Sequence, residues 1–244
     1  MGHSLYLRCI INHKSIKMKK LFLLLFLIPF LSSAQTLYWY DVLLDIPNEN
    51  RESAEALIND YYSNIEIPSD LSISLSRIPL KGNDFKGTHI LNMFSSSSES
   101  LANFRNSLKG EKWNLYTTGL RGKIKSIRAI AGNALAYTNI DKVGPIGQAW
   151  LFKVHAKDNI KFVNAFNKLL KTMKPNGFLA TGQFTHGTDD GESIFVYGTS
   201  EDLNEAFSGG PSNNKEAQAL QTFFEEIHFA EYSQTFTRVL VKQY

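Results

Sequence analysis

Apolar and polar positions along this chain run through one order twice. Leu37-Tyr38-Trp39-Tyr40-Asp41-Val42-Leu43-Leu44 is apolar and aromatic enough to predict a strand. Pro47-Asn48-Glu49-Asn50 supplies turn and cap chemistry. Ala54, Leu57, Ile58, Tyr61 and Ile65 then recur at helical spacing until Pro68. Ser72 to Leu80 and Thr88 to Ser95 read as strands around a Lys81-Gly82-Asn83-Asp84 hairpin loop. Ser96 and Glu99 have capping-box spacing ahead of Leu101, Phe104 and Leu108. Ile124 to Tyr137 suits a strand or a helix, and closes the unit if it is a strand.

The second half repeats this order. A strand over 149–156 leads through Asp158-Asn159 into a helix striped by Phe162, Val163, Phe166, Leu169, Leu170 and Met173. Phe178 to His186 and Glu192 to Thr199 flank a glycine-bounded hairpin loop. Leu203, Ala206 and Phe207 begin a helix, Gly209-Gly210-Pro211 breaks it, and Leu220, Phe223, Phe224 and Ile227 give one more helical face. Thr235 to Val241 is a closing strand. The halves are assigned to residues 36–140 and 146–244, with Lys142 to Gly147 read as a linker.

Each half is thus β-α-β-β-α-β, the ferredoxin-like unit, an antiparallel four-stranded sheet with its helices on one face. The other sheet face must also be covered. In the first strand Tyr38, Tyr40, Val42 and Leu44 alternate with Trp39 and Leu43, so both faces are apolar. A solvated face would instead alternate with polar residues. The expected fold is therefore α+β, with the two antiparallel sheets packed face to face.

In element order and strand patterning over residues 36–244, the chain resembles the dimeric α+β barrel superfamily, including its antibiotic-biosynthesis-monooxygenase-like and EthD-like families. The resemblance implies an intramolecular version of a barrel that two chains usually build around a ligand cavity, hence a monomeric pseudo-dimer. It implies a range of activities, from cofactor-independent oxygenation to haem handling to none, and does not choose among them.

Composition shifts the picture at the N-terminus. Met18-Lys19-Lys20, the apolar run Leu21 to Leu31 and Ser32-Ser33-Ala34 form the three parts of a secretory signal peptide. The run is shorter than the roughly 20 residues a membrane span needs. The expectation is cleavage near Ala34 and a periplasmic or extracellular protein, with residues 1–17 lying upstream of a start at Met18. The whole chain carries +3, but residues 1–34 hold five basic and no acidic residue, so the remainder carries −2. That remainder has no basic run for nucleic acid and no second apolar run of spanning length. Cys9, the only cysteine, also lies in the leader, which excludes disulfides and thiolate metal sites from the body.

Candidate chemistry centres on the matching first strands. Trp39 and Asp41 share one face with Leu43, and Lys153 and His155 share the equivalent face with Leu151. If that face lines a barrel, a carboxylate, an ammonium, an imidazole and an indole converge on a small apolar or anionic ligand, with His155 as a base titrating near neutral pH. The alternative is that Asp41 and Lys153 sit solvated at a barrel mouth, where an ion pair contributes little. His228 follows a helical face and stands three residues after Glu225, a spacing that also suits a metal pair or, by the resemblance, haem ligation. Read without that resemblance it is an exposed histidine among carboxylates. His186 beside Asp189 and Asp190 reads as turn chemistry, and His89 opens a strand without an evident partner. No glycine-rich phosphate loop, nucleophile elbow, paired zinc histidines or calcium loop occurs. The function classes left are a small-molecule binder, a cofactor-independent or haem-handling enzyme, and a non-catalytic envelope or secreted protein.

Overall fold

The computed structural model describes residues 36–188 and 191–244. The signal-peptide assignment to residues 1–34 and the Asp189-Asp190 turn lie outside the described residues. The first half runs β1 (Leu37–Asp45), α1 (Arg51–Ser63), β2 (Leu71–Lys81), β3 (His89–Ser95), α2 (Ser98–Ser107), α3 (Glu111–Arg121) and β4 (Ser126–Thr138). The second runs β5 (Ile146–Lys153), α4 (Asn159–Thr172), β6 (Leu179–His186), β7 (Ile194–Ser200), α5 (Leu203–Ser208), α6 (Asn214–Glu226) and β8 (Glu231–Gln243).

The strands form one closed antiparallel barrel in the order β1-β3-β2-β8-β5-β7-β6-β4. Each half contributes a ferredoxin-like sheet, and the sheets do more than face each other. They join edge to edge through β2–β8 and β4–β6, which leaves no free strand edge. Both joints carry register shifts, at Leu75/Ser76 and Arg77/Leu80 on one side and at Ala131/Gly132 and Ala134/Ala136 on the other. An extra residue in one strand sharpens local twist and bend, which is what a flat sheet edge needs to curve round to its partner.

Strand alternation divides the core into layers. On β1, Val42 and Leu44 face the helices, where they meet Ala54, Ile58 and Tyr62 of α1, Phe104 of α2, and Tyr116 and Leu120 of α3. Leu43, on the opposite face, meets Ile90, Ile130, Leu151 and Phe236 between the sheets. In the second half Phe152 and Val154 pack on Phe162, Phe166 and Leu169 of α4 and on Phe223 of α6. Full burial of each such side chain stabilises the fold by roughly 1.5–3 kcal/mol.

Three sequence expectations change here. Ile146 and Gly147, read as linker, belong to β5, which ends at Lys153. Gly147 is glycine because the chain packs tightly there: a Cβ would stand 2.1 Å from the Tyr197 hydroxyl. Helix α3 was not anticipated as a separate element. It presents Tyr116 and Leu120 inward from a stretch that looked like scattered core aromatics. The N-cap of α2 is Ser97, whose Oγ accepts from Ser100 N at 3.1 Å, one residue later than the capping-box spacing implied.

Candidate functional site

Inside the barrel the structure separates the four residues expected to converge. Trp39 is inward, edge-on to Phe184 and Phe195 at ring separations of 5.4 and 5.5 Å. Asp41 is also inward, and its Oδ1 accepts a 2.5 Å hydrogen bond from Nδ2 of Asn92, directly opposite on β3. Lys153 does not reach Asp41. It lies at the end of β5 with Nζ 3.9 Å from Glu231, both side chains substantially exposed. His155 lies beyond the strand and is exposed, because β5 begins and ends three residues before the expected 149–156. The cation that acts on Asp41 is Arg238 of β8, which the sequence reading missed. The signal for it is weak: a lone arginine in the closing strand, inward by the same alternation as Phe236.

Burial raises the Asp41 carboxyl above its ordinary range, offset in part by the Arg238 charge and the Asn92 hydrogen bond. Arg238 Nε donates to the Tyr197 hydroxyl at 2.8 Å, and its guanidinium lies 4.7 Å from the Tyr197 ring centre. Burial also raises the Tyr197 phenol.

The cavity with ligand character lies outside the barrel, between the outer face of the first sheet and α2–α3. It measures about 240 Å³. Its floor is Tyr40, Val42, Leu44 and Leu91, and its walls include Tyr62, Trp113, Tyr116 and Leu120. The lining holds two cations, Arg105 and Arg121, and no carboxylate, imidazole or amine. Arg105 stands 4.6 Å over the Tyr40 ring centre and 6.0 Å from that of Trp113. Among the described residues it forms no ion pair. Tyr116 stacks on Tyr61 with centroids 4.4 Å apart. Desolvation holds the Tyr62 and Tyr116 phenols far above their ordinary value, so both stay neutral donors.

His228 lies elsewhere, at an open hollow of about 540 Å³ lined also by Lys157, Asp158, Lys161, Glu226 and Phe229. Its charges are largely spent on each other: Lys161 Nζ is 2.7 Å from Asp158, and Lys168 Nζ is 2.8 Å from Glu226. His228 is exposed, and its Nδ1 lies 2.9 Å from the Glu225 carbonyl oxygen, a backbone contact and not a side-chain pair. Among the described residues no three His, Cys, Asp or Glu side chains gather as a metal site. The first-half cleft does not suit haem, since its lining offers no imidazole, thiolate or thioether and its Tyr62 and Tyr116 are held as phenols. His186 Nδ1 lies 2.9 Å from Thr185 Oγ1 on an exposed strand end.

Comparison with family models and with curated proteins found no match. Solved structures do match. A "putative monooxygenase" from Lactobacillus acidophilus NCFM superposes with a TM-score of 0.60 at 14% identity, covering 85% of this chain and 95% of its own. A "putative monooxygenase" from Fusobacterium nucleatum subsp. nucleatum ATCC 25586 gives 0.59 at 8% identity, covering 85% and 93%. An anthrone oxidase-like protein gives 0.58 at 12% identity, covering 86% and 93%. At such identities the likeness is one of fold. With the closed barrel built from two β-α-β-β-α-β halves, it gives this chain the ferredoxin-like dimeric α+β barrel fold, both units carried on one polypeptide.

Proposed function

We propose that this protein binds a small, flat, mostly apolar molecule carrying one anionic group, in the cleft between the first sheet and α2–α3. Arg105 carries this reading: a guanidinium laid over Tyr40 and Trp113 at the edge of an apolar cavity, without a carboxylate to neutralise it. A cation over an aromatic face is held in place electrostatically. Charge–charge attraction strengthens where water is partly excluded. The rings of Tyr40, Trp113 and Tyr116 supply flat apolar surface, and the phenols of Tyr62 and Tyr116 supply donors rather than bases.

The enzymatic alternative, cofactor-independent oxygenation, draws on the names of the fold neighbours, which concern those proteins. It needs a group to take a proton from substrate, and the cleft lining provides guanidiniums, phenols, the Trp113 indole and the Thr117 hydroxyl, with no carboxylate or imidazole. Binding without demonstrated chemistry is the better-supported reading. We also propose export, with residues 1–34 removed; the Met18-Lys19-Lys20 start, the apolar run and the Ala34 exit support it.

The test uses anilinonaphthalene sulfonate as a flat anion and N-phenylnaphthylamine as its neutral counterpart, followed by ligand fluorescence. Arg105→Met is expected to weaken the anion about tenfold, the scale of one charge-assisted contact, and to leave the neutral probe unchanged. Equal weakening of both probes, or of neither, would overturn the assignment.

A further inference from the structure

The middle layer of the barrel is polar, enclosed and under-bonded. Above it Leu37, Ala134, Phe178 and Ala180 close one apolar layer, and below it Leu43, Ile78, Ile90, Ile130, Leu151 and Phe236 close another. Between them sit Asp41, Asn92, Tyr197 and Arg238. Asp41 uses one carboxylate oxygen on Asn92. Among the described residues it makes no contact ion pair, although Arg238 acts on it through space. Among the described residues Arg238 spends only its Nε–H, on Tyr197. The indole Nε1 of Trp39, two residues before Asp41 on the same face, is buried and has no partner among the described residues. Asp41, Asn92, Tyr197 and Arg238 each keep part of their surface accessible, and Asp41 and Tyr197 are desolvated by the protein around them. Opposite charges on one interior face, not in contact and with hydrogen-bonding capacity to spare, suit a bridging guest. Buried polar groups without partners are costly, so the guest's hydrogen bonds would offset that cost.

We infer that the barrel interior is a second binding site, taking a small carboxylic acid with an adjacent hydrogen-bond donor, such as an α-hydroxy or α-amino acid. The carboxylate lies against the free N–H groups of Arg238, whose planar fork matches it. The hydroxyl or ammonium donates to the Asp41 oxygen that Asn92 does not occupy. The flanking apolar layers limit the guest to a short chain. This site differs from the cleft in position and in lacking any shared lining residue.

Ligand-observed saturation-transfer NMR with glycolate, glycine and acetate tests it, alongside a crystal of the wild-type protein soaked in glycolate. Glycolate or glycine should give saturation transfer several-fold stronger than acetate. Arg238→Lys should weaken it and Asp41→Asn should abolish the preference over acetate. Both variants should bind anilinonaphthalene sulfonate like wild type, which separates this site from the cleft and reports that they fold. Density bridging Asp41 and Arg238 in the soaked crystal would support the assignment even if a variant fails to fold. Ordered water alone in that density, or equal transfer from all three compounds, would overturn it.

Discussion

His89 Nε2 lies 2.9 Å from Oε1 of Glu55, and this contact ties α1 to the outer face of β3. His89 is only 2% exposed, and its other ring nitrogen lies 2.9 Å from Thr88 Oγ1. Glu55 also takes two hydrogen bonds from Arg77, at 2.6 and 2.7 Å. A histidine that looked unpartnered in the sequence is thus the buried end of a chain from Arg77 through Glu55 to Thr88.

Acid should loosen this contact from both sides. Burial lowers the His89 value below its ordinary 6.5, so under pH 6.5 the unfolded chain takes up the proton first and stability falls as pH drops through the folded value. The Arg77 hydrogen bond lowers Glu55 below 4.5, so its contribution is complete above pH 4.5 and is lost as pH falls through its folded value. Urea midpoints measured from pH 7.5 downward should fall, and His89→Gln should flatten the part of the slope just below pH 6.5. Glu55→Ala should cost about 1–3 kcal/mol at neutral pH, the price of leaving a buried partner unsatisfied.

Asp41 should show the opposite sign. Its raised folded value means that the native state holds the proton more tightly, so stability falls as pH rises from 3.8 through that value. Subtracting the pH–stability profile of Asp41→Asn from that of wild type isolates this slope from those of His89 and Glu55. A difference that rises with pH over this interval would contradict the enclosed position of Asp41.

Packing inside the barrel gives a sharper steric test. Gly147→Ala puts a methyl 2.1 Å from the Tyr197 hydroxyl and 2.9 Å from Arg238 Nε. The Tyr197–Arg238 pair must then move, and the change should cost about 1–3 kcal/mol, as overpacking does. Gly82→Ala, which meets nothing within 4 Å, should change the melting midpoint by an amount equivalent to about 0.5 kcal/mol or less.

The tyrosine cluster beside the cleft should resist alkali. Burial carries Tyr62 and Tyr116 well above the ordinary phenol value, and pushes Tyr244 up to about 12. Because the folded state keeps these protons longer, stability falls as pH rises past 10. In a spectrophotometric titration their phenolate absorbance should appear only as the protein unfolds. Full ionisation near pH 10 with native circular dichroism retained would show that the cluster is open to water.

Local pattern carried the elements and their facing. In β1 a period of two places Leu43 between the sheets and Val42 and Leu44 against the helices, and no partner is needed to read it. The same alternation puts Trp39 and Asp41 inside. It failed for His155 because strand ends depend on pairing: β5 starts at Ile146, opposite Ser200 and Val239, and stops at Lys153. Helix α3 was missed because its inward residues Tyr116 and Leu120 form too short a stripe to stand out among neighbouring aromatics.

The repeated order of apolar positions determined two ferredoxin-like units and a sheet buried on both faces, since periodicity is a property of neighbouring residues. Tertiary structure alone decided that β2 meets β8 and β4 meets β6, that Asp41 answers to Asn92 and Arg238 instead of Lys153, and that the cleft opens beside Arg105 outside the barrel. Those choices depend on contacts between residues far apart in the chain, such as the 51 positions between Asp41 and Asn92. Strand alternation says which way a side chain points, but only closure of the barrel says what it meets there.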